Sequence, residues 1–275
     1  MHYGYHSVYE KNYYEAIDRA VKFGFDYVQP DLNVPAFFLD SLTEAELIKI
    51  RDYANSAGVG ISLHSPGDNI SLFSDFPEVR RGILNQFEVI LHKANLLGAR
   101  HLTLHAGAAP GFKKASAAED EYAHIMAEHY SSVLYENLSH ILKYRGSVLI
   151  CLENHRLNKL IMGTADRLLP ELKLTLDTAK VYNREYRLDR EVFGYMLARS
   201  EHIRELHIND LIPELGSHQV FGKGLVNFMP YIELMKCEDV WLTFEVRPVE
   251  AAASSLSALK IWMEELNICD YRDVL

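Results

Sequence analysis

Three cysteines among 275 residues, with no Cys-x-x-Cys pair, supply neither a disulfide framework nor a thiolate metal knuckle. Cys151, Cys237 and Cys269 lie far apart in apolar or helical contexts and read as reduced thiols. No apolar run reaches the ~18 residues of a membrane-spanning helix. The opening Met-His-Tyr-Gly-Tyr-His also lacks a basic segment followed by an apolar one. The expectation is a soluble, cytoplasmic protein with no membrane partner. No Lys/Arg-rich run stands out in a chain of formal net charge -10, whereas nucleic-acid binders usually show a basic face. Nucleic acid is therefore disfavoured as a partner, although a local patch can sit within an acidic total. No Gly-x-Gly-x-x-Gly follows the first predicted strand, which weakens a dinucleotide-binding reading. No low-complexity linker divides the chain, so one domain over residues 1–275 is expected.

What the chain does have is a repeated grammar. Leu-Lys-Leu-Thr-Leu-Asp-Thr-Ala-Lys at 172–180 alternates apolar and polar residues with period 2 and places Asp177 at the end of a strand. The same pattern recurs in Gly60-Ile-Ser-Leu-His64, His101-Leu-Thr-Leu-His105, Val148-Leu-Ile-Cys-Leu-Glu153, Ile203-Arg-Glu-Leu-His207 and Val240-Trp-Leu-Thr-Phe-Glu245. Two earlier strands are predicted at 3–8 and 26–30. Helical spacing follows at 12–23, where Tyr13, Ala16, Ile17, Ala20 and Val21 share a face. A second helix opens on Ser41-Leu-Thr-Glu44 as a capping box. Others span 77–97 between a proline and Gly98, then 117–144, 165–169, 188–199, 228–237 and 251–266. Strands alternating with helices imply parallel pairing, and eight such units fit a single (β/α)8 TIM barrel, commonly about 250 residues.

In such a barrel all strands point their C-terminal ends at one face. Glu153, Asp177, His207 and Glu245 end strands five to eight and would converge there. Any one alone reads as a solvated loop-entry residue, but four in the same register do not. Three carboxylates brought together repel, and a divalent ion such as Mn, Mg, Co or Zn resolves the conflict while accepting oxygens and an imidazole. His64 and His105 add imidazoles on strands three and four, suited to backbone, ligand or substrate contact. His2, His92, His101, His124, His129, His140 and His202 are set aside, and Cys151 is read as packing.

These residues resemble the xylose-isomerase-like barrels, a family of sugar isomerases and epimerases that also holds endonuclease IV. The resemblance spans nearly the whole chain. It is carried by Leu-His-Ser-Pro-Gly at 63–67, Leu-Glu-Asn at 152–154, Leu-Asp-Thr at 176–178, Leu-His-Ile-Asn-Asp at 206–210 and Phe-Gly-Lys-Gly at 221–224. It implies one divalent ion held by Glu153, Asp177, His207 and Glu245. The endonuclease branch would align His64, His105 and His218 with further ligands. Its Asp-x-x-His, however, reads Asp177-Thr-Ala-Lys180 here, and its Asp-x-His reads Gly216-Ser-His218. Two ligands of a three-metal site are thus absent.

The resemblance further implies a sugar or hydroxy-ketone substrate and an enediolate stabilised by the ion, with Glu153 and Glu245 exchanging a proton with carbon. His64, His105, Lys180, His218 and Arg247 are candidates for substrate contact, the two cations suiting a carboxylate or phosphate. Tyr3, Tyr5, Phe37 and Phe38 are candidate pocket walls, and the loop at 221–224 a candidate cover. An endonuclease, a lyase or dehydratase, and a non-catalytic small-molecule barrel are the alternatives. Related barrels often assemble, so a homo-oligomer is compatible.

Overall fold

Each element follows from local chemistry in the computed structural model, which describes residues 1–67, 70–109 and 121–266. Strand β1 (His2–Ser7) leads to helix α1 (Tyr13–Phe23), where Asn12 accepts from the Glu15 N–H and Gly24 closes the end at φ 75°. Tyr13, Ala16, Ile17 and Ala20 are buried on its inner face, whereas Val21 of the predicted face is exposed. After β2 (Tyr27–Pro30), α2 (Glu44–Ser56) opens on a Thr43–Glu46 capping box and not on Ser41–Glu44. Both pairs fit the motif, but Ser41 spends its hydroxyl on the Phe38 carbonyl at 2.7 Å inside a short 3-10 turn.

β3 (Gly60–Ile61) and β4 (Leu63–His64) are two pieces of one strand, because the Ser62 N–H between them donates to the Val28 carbonyl at 3.0 Å. Helix α3 (Pro77–Leu97) starts on its proline and ends at Gly98, as predicted. β5 (His101–Leu104) and α4 (Glu121–Tyr144) follow; the predicted start of α4 at 117 lies outside the described residues, as does Cys269. After β6 (Leu149–Glu153), α5 (Lys159–Asp166) begins earlier than the predicted 165–169, because the Asn158 side chain accepts from the Leu160 and Ile161 N–H groups. β7 (Lys173–Asp177), α6 (Arg190–Leu197, capped by Asp189) and β8 (Ile203–Ile208) continue the alternation. An unpredicted antiparallel hairpin, β9 (Asp210–Ile212) with β10 (Gly216–Gln219), then rises beyond β8. Helix α7 (Ile232–Lys236), shorter than the predicted 228–237 because a 3-10 turn precedes it, leads to β11 (Trp241–Phe244) and α8 (Val249–Glu265).

The sheet order is β3-β2-β1-β11-β8-β7-β6-β5-β4, all parallel, and its two ends are the halves of the interrupted strand. A bridge between Asp31 and His64 continues the seam. The result is the predicted eight-stranded TIM barrel. Period 2 sorts its side chains. Leu102, Ile150, Leu152, Leu174, Leu176, Leu206 and Leu242 face outward toward helices, all buried. The opposite parity points inward in layers: Gln29, Thr103, Thr175, Glu205 and Thr243 form a middle layer, and above it every strand contributes an ionisable residue. Gly4 leaves room there for the Tyr27 ring, which an added Cβ would run into.

Candidate metal centre and active site

The upper layer consists of His6, Asp31, His64, His105, Glu153, Asp177, His207 and Glu245. Strand pairing fixes the central part: Asp177 lies beside His207 in the β7–β8 register, and Thr243 of β11 lies beside His207 on the other side. Glu153, Asp177, His207 and Glu245 are all buried, with one donor atom from each within 4.8 Å of the others. His207 Nδ1 is 3.6 Å from Glu153 Oε2 and 3.4 Å from Glu245 Oε2. Asp177 is the most firmly held: its Oδ1 accepts from the Ala179 and Lys180 N–H groups at 2.7 and 3.0 Å, and its Oδ2 accepts from Asn209 Nδ2 at 3.1 Å. Asn154 clamps its backbone, accepting from the Asp177 N–H at 2.7 Å and donating to its carbonyl at 3.1 Å. The Leu-Glu-Asn and His-Ile-Asn segments therefore each supply one site carboxylate or imidazole and one amide that braces Asp177.

The charge pattern reflects this crowding. Burial, with Glu245 and Glu153 adding to it and Lys180 opposing, pushes the Asp177 carboxyl up to about 7. Burial also disfavours ionised Glu153 and Glu245, but the imidazoles outweigh it: His105, His64 and His207 hold Glu153 well below the usual carboxylate range, and His218, His207 and His6 do the same for Glu245. Burial opposes a charged His207, yet Glu205, Glu245 and Glu153 raise it well above the ordinary histidine value. Glu245 Oε2 and both ring nitrogens of His207 are buried with no well-aligned hydrogen bond. Three carboxylates and one imidazole with such open valences fit a divalent ion that prefers oxygen and nitrogen, and no sulfur enters the set.

Two further groups adjoin this one. His105 Nε2 is 3.0 Å and His64 Nε2 3.4 Å from Glu153 Oε2, so Glu153 is shared with a second cluster able to hold an ion. His64 donates its Nδ1 proton to the Ser65 carbonyl at 2.9 Å, which turns Nε2 toward Glu153. His6, Asp31 and His64 form a third cluster. Here Arg247 Nη2 donates to His6 Nδ1 at 2.9 Å, which leaves the His6 proton on Nε2, facing Asp31 Oδ2 at 3.3 Å. That proton fills the lone pair an ion would need, and burial keeps His6 neutral by lowering it to about 4. His6 thus turns its protonated edge toward the Asp31 carboxylate, without a well-aligned hydrogen bond.

Above the clusters lies a cavity of about 350 Å³ lined by Asp31, Asn33, His64, His105, Glu153, His155, Lys180, His218, Glu245 and Arg247. Its size suits a small molecule. All five residues predicted for substrate contact line it. His218 reaches it from the hairpin, at φ 66°, with its N–H on Asn209 Oδ1 and its Nδ1 donating to the Glu245 carbonyl, each at 3.0 Å. Lys180 makes no ion pair among the described residues; although burial disfavours its charge, Asp177, Glu245 and Glu153 raise its pKa. His155, not predicted, stacks on His105 at 4.3 Å, and burial lowers it to about 4.

Other expectations fail. Tyr5 turns away and donates to the Ala16 carbonyl and Tyr3 packs in the core, because their parity on β1 faces the helices, while Phe37, on a short 3-10 turn, is buried in the core as well. Phe38 lines a separate apolar cavity beside Leu32 and Ile90. None of residues 221–224 lines the cavity, and Asp210 accepts from the Gly224 and Val226 N–H groups at 2.7 and 3.0 Å. His101, set aside from sequence, is buried against Glu205 at 3.1 Å. His6, Asp31 and Glu205 were legible in principle, since each stands two residues along its strand from another inward position.

Fold and site together define a TIM barrel whose strand ends build a carboxylate–imidazole centre under a cavity of about 350 Å³. The chain belongs to the xylose isomerase-like TIM barrel family, whose model matches residues 17–266. No curated protein matches the sequence. Among solved structures, it is similar to a D-tagatose 3-epimerase-like protein at TM-score 0.75 and 17% identity, with 97% of this chain and 98% of that one covered. It is similar to a 3-keto-D-glucoside 4-epimerase from E. coli at TM-score 0.69 and 16% identity, with 95% and 99% covered. It is also similar to endonuclease IV from Thermus thermophilus at TM-score 0.68 and 18% identity, with 96% and 100% covered. At these identities the likeness is one of fold. No helix among the described residues is long and apolar enough to cross a membrane.

Proposed function

We propose that the protein is a divalent-metal-dependent isomerase or epimerase of a sugar or hydroxy-ketone. The observation that carries this reading is the buried convergence of Glu153, Asp177, His207 and Glu245 from four successive strands, with donor atoms within 4.8 Å. These four residues would hold one ion of the Mn, Mg, Co or Zn type. When bound, such an ion polarises a substrate carbonyl and offsets the charge of an enediolate.

The chain's own residues divide the remaining work. Asp177 lies below the cavity and is tied by two backbone N–H groups and Asn209, so its role is to hold. Glu153 and Glu245 line the cavity and face the substrate, and they take and return the proton at carbon. Lys180 and Arg247 offer donors to substrate oxygens or to an acidic or phosphate group, and His64, His105 and His218 complete the polar wall. The epimerase neighbours support sugar chemistry as the first choice. The proposal extends to a cytoplasmic protein acting on a small molecule, with no nucleic-acid or membrane partner, and compatible with a homo-oligomer.

One observation favours a second reading. The His64–His105–Glu153 group is a second place for an ion, as an endonuclease IV-like enzyme would need. Lys180 and Gly216 stand where that chemistry would require further ligands, so the one-ion reading leads. Elemental analysis of the native chain beside Asp177→Ala separates the two. About one divalent ion per chain, lost in the variant, supports the isomerase; close to three, with cleavage of abasic-site DNA, supports the endonuclease; none after reconstitution refutes both.

A further inference from the structure

The layer beneath the four-residue cluster contains a carboxylate that no step above uses. Glu205, on β8 two residues before His207, is fully buried inside the barrel, where branched apolar side chains are the rule. An ionised group there is costly unless its lone pairs are met. They are. Oε1 accepts from Gln29 Nε2 at 2.7 Å and from the Thr243 hydroxyl. Oε2 accepts from the Thr103 hydroxyl, with Thr175 Oγ1 at 3.3 Å. Since Thr243 gives its proton to Glu205, Tyr27 is the donor in its 2.6 Å contact with Thr243 Oγ1. Side chains from four other strands thus converge on holding one charge.

Each oxygen of Glu205 then faces one imidazole edge. His101 Nε2 is 3.1 Å from Oε1, and His207 Nε2 is 3.3 Å from Oε2, an oblique approach. A carboxylate only accepts, so the edge of His207 turned toward it must carry its proton on Nε2. With an ion bound in place of the other proton, the lone pair would be on Nδ1, the nitrogen that faces Glu153 and Glu245. We infer that Glu205 is a positioning residue: it fixes the His207 ring with Nε2–H pointing down into the barrel and Nδ1 presented to the ion, and raises the affinity for that ion through His207. The inference rests on the proposed metal site. It goes beyond that proposal in placing a control on ion binding one layer below the ligands, within the barrel core. Carboxylates behind metal-bound histidines orient the ring and raise its basicity, and their loss typically weakens metal binding about 10–100-fold.

The test compares native protein, Glu205→Gln and Asp177→Ala in calorimetric titrations with Mn²⁺, alongside thermal unfolding of each protein after EDTA treatment. Glutamine keeps the shape and an acceptor for the hydroxyls but removes the charge. The expected result is ion binding by native protein, none by Asp177→Ala, and about 10–100-fold weaker binding by Glu205→Gln without a matching fall in its EDTA-treated unfolding midpoint. Affinity within about threefold of native overturns the inference, whether or not the midpoint falls, and leaves the metal-site reading standing. No ion binding by native protein overturns both. If Glu205→Gln does not fold, ¹⁵N NMR of the Mg²⁺-loaded native protein decides: a solvent-protected proton on His207 Nε2 is expected, and a proton on Nδ1 overturns the inference.

Discussion

Asp177→Asn separates charge from shape at the centre of the cluster, and its effect on stability should change sign when an ion is added. In the fold, burial and the two neighbouring glutamates raise the Asp177 carboxyl from its ordinary 3.8 to about 7. Between those values the unfolded chain has released the proton and the folded chain retains it, so stability falls as pH rises. By about pH 8 the loss is complete and amounts to about 4 kcal/mol. Asparagine escapes it. Its oxygen still accepts from the Ala179 and Lys180 N–H groups, but its amide meets the Asn209 amide, a mismatch costing about 1–2 kcal/mol. With EDTA at pH 8, the variant should therefore be about 2–3 kcal/mol more stable than native protein, and its profile should be flatter between about pH 4 and 7. Mn²⁺ at about 1,000 times its dissociation constant should reverse the order, because it adds about 4.1 kcal/mol to native protein alone. Guanidinium unfolding at pH 5 and pH 8, with EDTA and with Mn²⁺, measures all of this. A variant less stable than native protein at pH 8 in EDTA, or an unchanged order on adding the ion, refutes the reasoning.

Glu153→Gln and Glu245→Gln should each lower turnover about 10²–10⁴-fold while the circular dichroism spectrum stays native; exchange of substrate hydrogen with deuterated solvent, lost in both, is the direct readout. Lys180→Met should raise KM with ion affinity kept if the ammonium contacts substrate; a lowered ion affinity with unchanged KM would assign it to charge balance among the carboxylates. Asn154→Ala leaves the buried Asp177 N–H without its acceptor and should destabilise by about 1–3 kcal/mol in chemical unfolding. Gly4→Ala, whose added carbon meets the Tyr27 ring, should cost about 1–3 kcal/mol by overpacking, and an unchanged midpoint would show that the ring yields freely.

Much of the upper layer was readable because its signal is local. A run such as Leu-Lys-Leu-Thr-Leu-Asp declares a strand and a facing, and the last inward residue of a barrel strand lies at the site wherever the neighbours fall. Six strands announced themselves this way. The first two did not: His6 precedes an ordinary serine within its strand, and Asp31 follows a proline beyond its own, so neither stood out as a terminal ionisable residue. Helix starts depended on single side chains. Asn158 outcompeted the periodicity that suggested a start at 165, and between two equivalent capping boxes the choice was made by Ser41 bonding to Phe38. The hairpin carrying His218 had no apolar alternation to betray it, since all of β10 is only half-buried.

By itself the sequence determined the alternation of strands and helices, the parity that separates lipophilic outer faces from polar inner ones, and the residue types available for an ion. Those are properties of a few neighbouring residues, governed by a period of two or about 3.6 and by caps. Closure of the barrel decided the rest. It joined the two halves of the interrupted strand across the seam, set Asn154 and Asn209 as braces for Asp177, brought Arg247 onto His6, and stacked Glu205 beneath His207. These pairings depend on strand order and register across up to 241 residues of separation, which no local pattern encodes. Function here rests on that closure, because mutually repelling carboxylates come together only when the hydrogen-bonded barrel leaves them nowhere else to go.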